Sequence, residues 1–359
     1  MPTPGSAAAM DDLVTISIPT YRRPSLLLSC LQTCFMQDYR PLEIDIGDNS
    51  PDDQTGRLVA AITPPPGITL RYWRNDPPLD FIGNVQKLFA EARGRRLLLL
   101  HDDDALLPGA VSALDAAFRM APDVVAAYGT PEVVDERGER VPEETSRDNA
   151  NAGRTPEQAG LRRDLLTCAF WRQLPVNGFL ISTEAARRVG YRDRAEVGLA
   201  VDTDFGIRLA QAYRGSGAFA FIHQATSQYR LAPTSQRFNE PDTCWKFYDE
   251  VARLEGLTPE EERARDLMLA QIARAAVIEN ALGRRRRAAL RIFRSRHYPR
   301  PEGWARTLYV LGLMAMPRTF RTVRRLVGAV KPDFVAPAPS LPALAPAPAP
   351  AQALHPRQA

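Results

Sequence analysis

An α/β fold with a mostly parallel central sheet flanked by helices is predicted by three features of the sequence. Four short apolar runs, at 13–18, 42–46, 68–73 and 96–100, recur at similar spacing. The stretches between them carry helical periodicity. The fourth run is apolar throughout Leu97–Leu100, as a strand buried on both faces must be. Strands alternating with helices in this way imply parallel pairing, because each crossover helix returns the chain to the same edge.

Taken in order, each run is short enough for a strand. In the third intervening segment Phe81, Ile82, Val85, Leu88, Phe89 and Ala92 fall on one helical face, and Gly94 follows as a stop. Further on, 124–128 reads as a strand and 132–141 as a hairpin turning at Glu136-Arg137-Gly138. Residues 143–160 are polar and aperiodic, which predicts a mobile loop. Strand-like sequence returns at 177–182, a helix at 205–213 and a short strand at 218–222. Thr258-Pro259-Glu260-Glu261 is a helix start, with Thr258 as cap and Glu261 closing a capping box, and the helix is expected to reach Leu282 before Gly283.

Composition narrows the possibilities. With 359 residues, 45% apolar and 25% charged, the chain is globular in character. No apolar run approaches the ~18 residues of a membrane span, and Asp11 and Asp12 precede the first apolar run where a signal peptide would be basic. The four cysteines (Cys30, Cys34, Cys168, Cys244) form no Cys-x-x-Cys pair and read as free thiols of a cytoplasmic protein. The net charge of +4 conceals an acidic body, −9 over residues 1–283, and a basic arm, +13 over 284–331. The last 28 residues hold 8 prolines and 9 alanines and cannot form a core. The expected organisation is a disordered segment 1–11, a catalytic domain 12–240, a helical basic extension 241–331 and a disordered tail 332–359.

Ligands of an open parallel sheet bind outside the carboxyl ends of its strands. Those positions hold Pro19-Thr20-Tyr21-Arg22-Arg23, then Asp48-Asn49-Ser50, then Arg74-Asn75, then His101-Asp102-Asp103-Asp104. No G-x-G-x-x-G or G-x-x-x-x-G-K-[ST] occurs, which weighs against a dinucleotide dehydrogenase and a P-loop NTPase. Three successive carboxylates leaving a buried strand repel one another, and a hard divalent cation with substrate phosphates is the usual compensation. Asp104, just before Leu107-Pro108, is read instead as a helix N-cap.

The pattern Val14-Thr-Ile-Ser-Ile-Pro-Thr-Tyr21, Asp48-Asn49-Ser50, Leu100-His-Asp-Asp-Asp104 and Val201-Asp202-Thr-Asp204 resembles a family-2 glycosyltransferase of the GT-A fold over roughly residues 13–235. The resemblance implies a nucleotide-diphosphate sugar donor, Mn²⁺ or Mg²⁺, and inversion at the anomeric carbon. On that basis Pro19, Thr20 and Tyr21 border the nucleobase, Asp48 bonds it, Asp102 lies toward the ribose and Asp103 on the metal, with His101 a further candidate ligand. Asn84 and Lys87 border the phosphates, and Asp202 is the base that deprotonates the acceptor hydroxyl. Asp204 is read as a cap or dipole partner. An Asx-turn with Ser50 is the alternative for Asp48, and a solvent-facing pair the alternative for Asn84 and Lys87. The chain departs from the family at Arg22 (usually Asn), Gly47 (often acidic), Val201 (commonly Glu) and Ala232 (often His).

The arginines of the arm, with Trp304, Tyr309 and the apolar run 308–316, suit an anionic membrane surface. The alternative is arginine faces on helices packed against the body, and nucleic acid is not an expected partner. The expected protein is therefore cytoplasmic or peripheral on the inner face of the cytoplasmic membrane, extending a lipid-linked or cell-surface glycan. A sugar-nucleotide-forming nucleotidyltransferase and a non-catalytic nucleotide-sugar binding protein are the rival readings.

Overall fold

The structure, a computed structural model, describes residues 12–198, 200–231, 244–299, 311, 312, 314 and 315. Strand β1 (Val14–Thr20), helix α1 (Pro24–Phe35), β2 (Leu42–Asp48), α2 (Gln54–Ala60), β3 (Ile68–Arg74), α3 (Phe81–Glu91) and β4 (Arg96–Leu99) follow one another in the predicted alternation. All seven residues of β1 are buried. Val14, Ile16 and Ile18 enter one core, while the polar Thr15 between them is satisfied across the sheet. Its hydroxyl donates to Glu43 Oε1 (3.0 Å) and accepts from the Gly94 N–H (2.9 Å). Asp80 caps α3, accepting from the Gly83 N–H at 2.6 Å.

The parallel half of the sheet runs β3-β2-β1-β4. Its register decides where the chemistry lies. Thr20 pairs with Asp48, and Asp48 with Arg74, so three strands end level at one edge. The Leu100 N–H donates to the Ser17 carbonyl, which delivers His101–Asp104 to the same edge. The sheet, nine-stranded among the described residues, continues with β8 (Leu180–Ser182), β6 (Val124–Val134), β9 (Ala218–Arg230) and β5 (Ala105–Leu106), and β7 (Gly160–Arg162) pairs with β9. This second half is mixed, since β8 runs antiparallel to both β4 and β6, whereas β6 and β9 are parallel. One core lies beneath α1 and α4 (Ala110–Phe118), and the other beneath α3, α6 (Leu165–Phe170), α7 (Thr183–Val189), α8 (Arg194–Val197) and α9 (Val201–Ala212).

The expected loop 143–160 is corrected. Residues Pro142–Asn151 form helix α5, with Pro142 in its first turn and Glu143 and Glu144 set against the helix dipole. It buries no residue, and so carries none of the apolar periodicity by which helices are read. The strand expected at 218–222 runs on to Arg230.

Helix α10 (Cys244–Val251), α11 (Pro259–Leu282) and α12 (Arg286–Phe293) complete the described chain. The capping box at Thr258 and Glu261 is present with both its hydrogen bonds. Leu269, Ala273, Val277 and Ala289 join the core that holds Phe205 and Phe219, so these helices share the hydrophobic interior of the sheet domain. On α12 Ala289 and Ile292 are buried while Arg286, Arg287 and Arg291 are exposed, which is the packed alternative for this part of the arm. Among the described residues no helix is long and apolar enough to cross a membrane. The segments 1–11 and 332–359, Ala232, Trp304 and Tyr309 lie outside the described residues.

Gly94 ends no helix, since α3 stops at Glu91. It is required by close approach: a Cβ there would meet the Leu13 carbonyl at 2.6 Å and the Thr15 nitrogen at 2.8 Å. Both are backbone atoms of the central strand region and cannot rotate away. Gly94→Ala is expected to cost about 1–3 kcal/mol, read as a lower urea midpoint; a midpoint within error of the parent would refute the crowding argument.

Candidate active site

At the edge where β1, β2 and β4 end, the acidic residues are held by partners from across the chain. Thr20 Oγ1 donates to Asp102 Oδ2 (2.7 Å). Arg23 Nη1 lies 2.8 Å from Asp103 Oδ2 and 3.4 Å from Asp102 Oδ1. Asp104 is buried, accepting from Asn177 Nδ2 and from the Arg230 N–H (2.8 Å). The Arg230 guanidinium turns to carbonyls, those of Asp103 (2.9 Å), Asp135 (3.1 Å) and Glu136 (3.0 Å). Asp104 is therefore no helix cap: α4 begins at Ala110 with Gly109 in the cap position. His101 Nδ1 sits 3.6 Å from Asp104 Oδ2.

Burial dominates the electrostatics. It raises the Asp102 carboxyl to about 6, the bonds from Thr20 and the charge of Arg23 holding it lower than burial alone would. Asp104 rises to about 7 for the same reason, with the charge of Asp103 adding to it. His101, Asp103 and Asp104 each offer a ligand atom, all within 4.8 Å of one another. The His101 Nε2 is buried with no hydrogen-bond partner, which is unusual for a ring nitrogen unless a ligand completes it. Two carboxylate oxygens and one imidazole form a donor set for a divalent cation.

Asp202 stands in the first turn of α9 and accepts from the Tyr191 hydroxyl at 3.1 Å. Tyr191 is fixed by stacking on Phe205, ring centroids 4.7 Å apart. Burial raises the Asp202 carboxyl, opposed by His101 and by the Tyr191 bond. Asp204 is bound by Arg192 (2.8 Å) and Arg208 (2.8 Å), an ion-paired group within the first turn.

The remaining predicted residues lie apart from this cluster. Pro19 is buried within β1, and Tyr21 is exposed at the mouth. Asp48 is fully buried, with Oδ1 accepting from the Ser50 N–H (2.8 Å), which is the Asx-turn, and Oδ2 from the Tyr72 hydroxyl (2.8 Å). Asn84 and Lys87 do not face solvent. Asn84 Nδ2 donates to the Gly47 carbonyl (2.7 Å), and Lys87 Nζ donates to Asn75 Oδ1 (2.8 Å). A Cβ at Gly47 would overlap the Asn84 carboxamide, so this chain has no room there for the acid the family often carries. The link between the two groups is Thr20, whose carbonyl accepts from the Asn49 N–H (3.0 Å) while its hydroxyl serves Asp102. Sequence reading assigned no role to Arg23 or Tyr191, and the paired arginines after β1 were the local signal for Arg23.

Comparison with known proteins agrees with this geometry. Residues 15–173 match the model of Glycosyl transferase family 2. A glucosyltransferase of Campylobacter jejuni, named GalNAc(5)-diNAcBac-PP-undecaprenol beta-1,3-glucosyltransferase, is 28% identical over 101 residues, 28% of this chain and 33% of that protein. An uncharacterised Mycobacterium tuberculosis protein, MT1568, is 31% identical over 106 residues, 30% of this chain and 32% of that protein. The match thus spans about a third of the length of these curated relatives. Among solved structures, the mannosyltransferase PcManGT from Pyrobaculum calidifontis, in complex with GDP-Man and Mn²⁺, has a TM-score of 0.54 at 14% identity, covering 88% of this chain and 84% of that one. Residues 1–349 of S. aureus TarS, in complex with UDP-GlcNAc, have a TM-score of 0.52 at 13% identity, covering 74% and 72%. The fold is that of the GT-A glycosyltransferases.

The raised carboxyls fix a sign for pH dependence. Between about pH 4 and pH 7 the folded chain holds a proton on Asp104 that the unfolded chain has released, so this group favours folding at the acid end and loses that contribution as pH rises to about 7. Asp104→Asn, which keeps the shape without the titration, should flatten the stability profile there by up to about 1.4 kcal/mol per pH unit. Urea midpoints of the two proteins taken from pH 5 to 8 check this; parallel profiles would contradict it.

Proposed function

We propose that this chain is an inverting glycosyltransferase that moves a sugar from a nucleotide-diphosphate sugar, a UDP-sugar by default, to a hydroxyl of a lipid-linked or cell-surface glycan. The observation that carries the reading is the ligand set of His101, Asp103 and Asp104 at the carboxyl edge of a family-2 sheet, with the buried carboxyl of Asp202 in the first turn of α9 as the candidate base. The donor complexes of the fold neighbours, with UDP-GlcNAc and with GDP-Man and Mn²⁺, support a nucleotide-diphosphate donor and a divalent ion. The undecaprenol-linked glycan in the name of the Campylobacter relative supports a lipid-linked acceptor, and the exposed arginines of α12 suit approach to an anionic membrane surface.

The mechanism follows from the side chains. Tyr21, exposed at the end of β1, and the strand end at Pro19 and Thr20 present a surface to the base, with Asp48 reaching it only from beneath the surface. Asp102, oriented by Thr20, is placed for the ribose. Asn84 and Lys87 brace the β2 and β3 ends that border the phosphates. When bound through His101, Asp103 and Asp104, Mn²⁺ or Mg²⁺ supplies charge neutralisation of the leaving diphosphate. Asp202 takes the proton of the acceptor hydroxyl as its oxygen attacks the anomeric carbon from the side opposite the diphosphate, so configuration inverts. Burial makes this carboxylate a stronger base than an exposed aspartate, and Tyr191 fixes its orientation.

Calorimetric titration with UDP, dTDP, GDP and CDP, with and without Mn²⁺, tests the donor class. Metal-dependent binding of one nucleotide, abolished in Asp103→Ala, is expected; no binding by any of them would sink the proposal. Asp202→Asn should leave nucleotide affinity intact and lower kcat by about 10²–10⁴-fold. In Tyr191→Phe the hydrogen bond that favours the charged carboxylate is gone, so the acid limb of the kcat–pH profile should move to higher pH. An unmoved limb would deny Tyr191 its positioning role.

A further inference from the structure

We propose that Arg23 is a displaceable counter-ion of the acidic site, competing with the divalent cation for Asp103. The proposal rests on reading His101, Asp103 and Asp104 as the ligands of that cation. Two cations serve the acidic run, and they are built differently. Arg230 commits its backbone N–H to Asp104 and its guanidinium to three carbonyls, so it belongs to the framework and leaves the Asp103 carboxylate alone. Arg23 places its guanidinium directly on carboxylates, at 2.8 Å from Asp103 Oδ2 and 3.4 Å from Asp102 Oδ1.

The surroundings of Arg23 allow it to leave. Its side chain is 33% exposed, against 7% for Asp102 and 15% for Asp103, so the guanidinium covers the carboxylates from the solvent side. It occupies the cap position of α1 yet makes no side-chain cap bond, so withdrawing it costs the helix nothing. The backbone beneath is anchored separately: Arg22 takes a left-handed conformation (φ 54) and its N–H donates to Ser50 Oγ at 2.8 Å. A partly exposed side chain on an anchored loop is thus set over one of the candidate ligand carboxylates.

A guanidinium and a divalent ion on one carboxylate repel each other, and the ion gains Asp103 only as Arg23 withdraws. The consequence is a site that takes the ion weakly by itself and well only when a diphosphate brings further oxygen ligands, which is how Mg²⁺ and Mn²⁺ are usually held.

The test is Mn²⁺ binding to the full chain without nucleotide, followed by the electron paramagnetic resonance signal of free Mn²⁺. Arg23→Gln should bind Mn²⁺ about tenfold or more tightly than the parent, the size of an ordinary coupling between two sites. Arg23→Lys keeps a charge but cannot span both carboxylates, so it should tighten binding less; it also serves if Arg23→Gln fails to fold. Unchanged or weaker Mn²⁺ affinity in the folded variants overturns the proposal. If that equal binding is abolished by Asp103→Asn, the ion site itself stands; if none of the four proteins binds Mn²⁺ saturably, the ion reading falls with it.

Discussion

Three consecutive aspartates at the end of a buried strand are the constraint around which the rest of this molecule is arranged. Carboxylates so close together and so far from water cannot all stay charged without help, and Asp102 and Asp104 are accordingly pushed up to about 6 and about 7. The help comes from long range. Thr20 and Arg23 lie about 80 positions upstream on the β1 edge, and Asn177 and Arg230 arrive from the mixed half of the sheet. A cluster that began as an electrostatic liability therefore joins the parallel half of the sheet to the mixed half at the edge where ligands of such folds bind.

The parallel half was legible in the sequence because three of its strands, β1, β2 and β4, are buried along their whole length. Val14, Ile16, Leu97, Leu98 and Leu99 are all fully buried, and in β4 that burial writes a continuous apolar run. The cap at Thr258 was legible for a local reason, since its two partners are three residues apart. Helix α5 was not, because a helix that buries nothing leaves no periodicity. The extra length of β9 was hidden too: its pairing with β6 shifts register three times between Val124 and Pro131, and each shift breaks the alternation that marks a strand.

At the site, residue types were readable and residue roles less so. Asp104 looks like a cap when only its neighbours are considered, and its true partners are 73 and 126 positions away. Gly47 looks like a missing acid until Asn84 is seen pressed against it. That contact also explains why Asn84 sits buried and bonded to the Gly47 carbonyl rather than facing solvent. Of the two readings of Asp48, the Asx-turn with Ser50 is the one formed, and its second oxygen is taken by Tyr72. The turn is what holds the loop after β2 beside the end of β1, where the Asn49 N–H reaches Thr20.

The pair Asp202 and Asp204 shows how environment separates two identical side chains on one helical turn. Asp204 faces two guanidinium groups, Arg192 and Arg208, each at 2.8 Å. Such a carboxylate is a fixed negative charge whose work is to hold the loop before α9 against that helix, and removing a proton from a substrate would mean breaking two ion pairs. Asp202 has a neutral phenol as its hydrogen-bond partner, at 3.1 Å, and burial makes it hold a proton more readily than an exposed aspartate. Carboxylates become acid–base groups when burial is not cancelled by a bound cation, and structural charges when it is. Two residues apart on a helix, the side chains are rotated by about 200° around its axis, so the helix itself delivers one to Arg192 and Arg208 and the other to Tyr191.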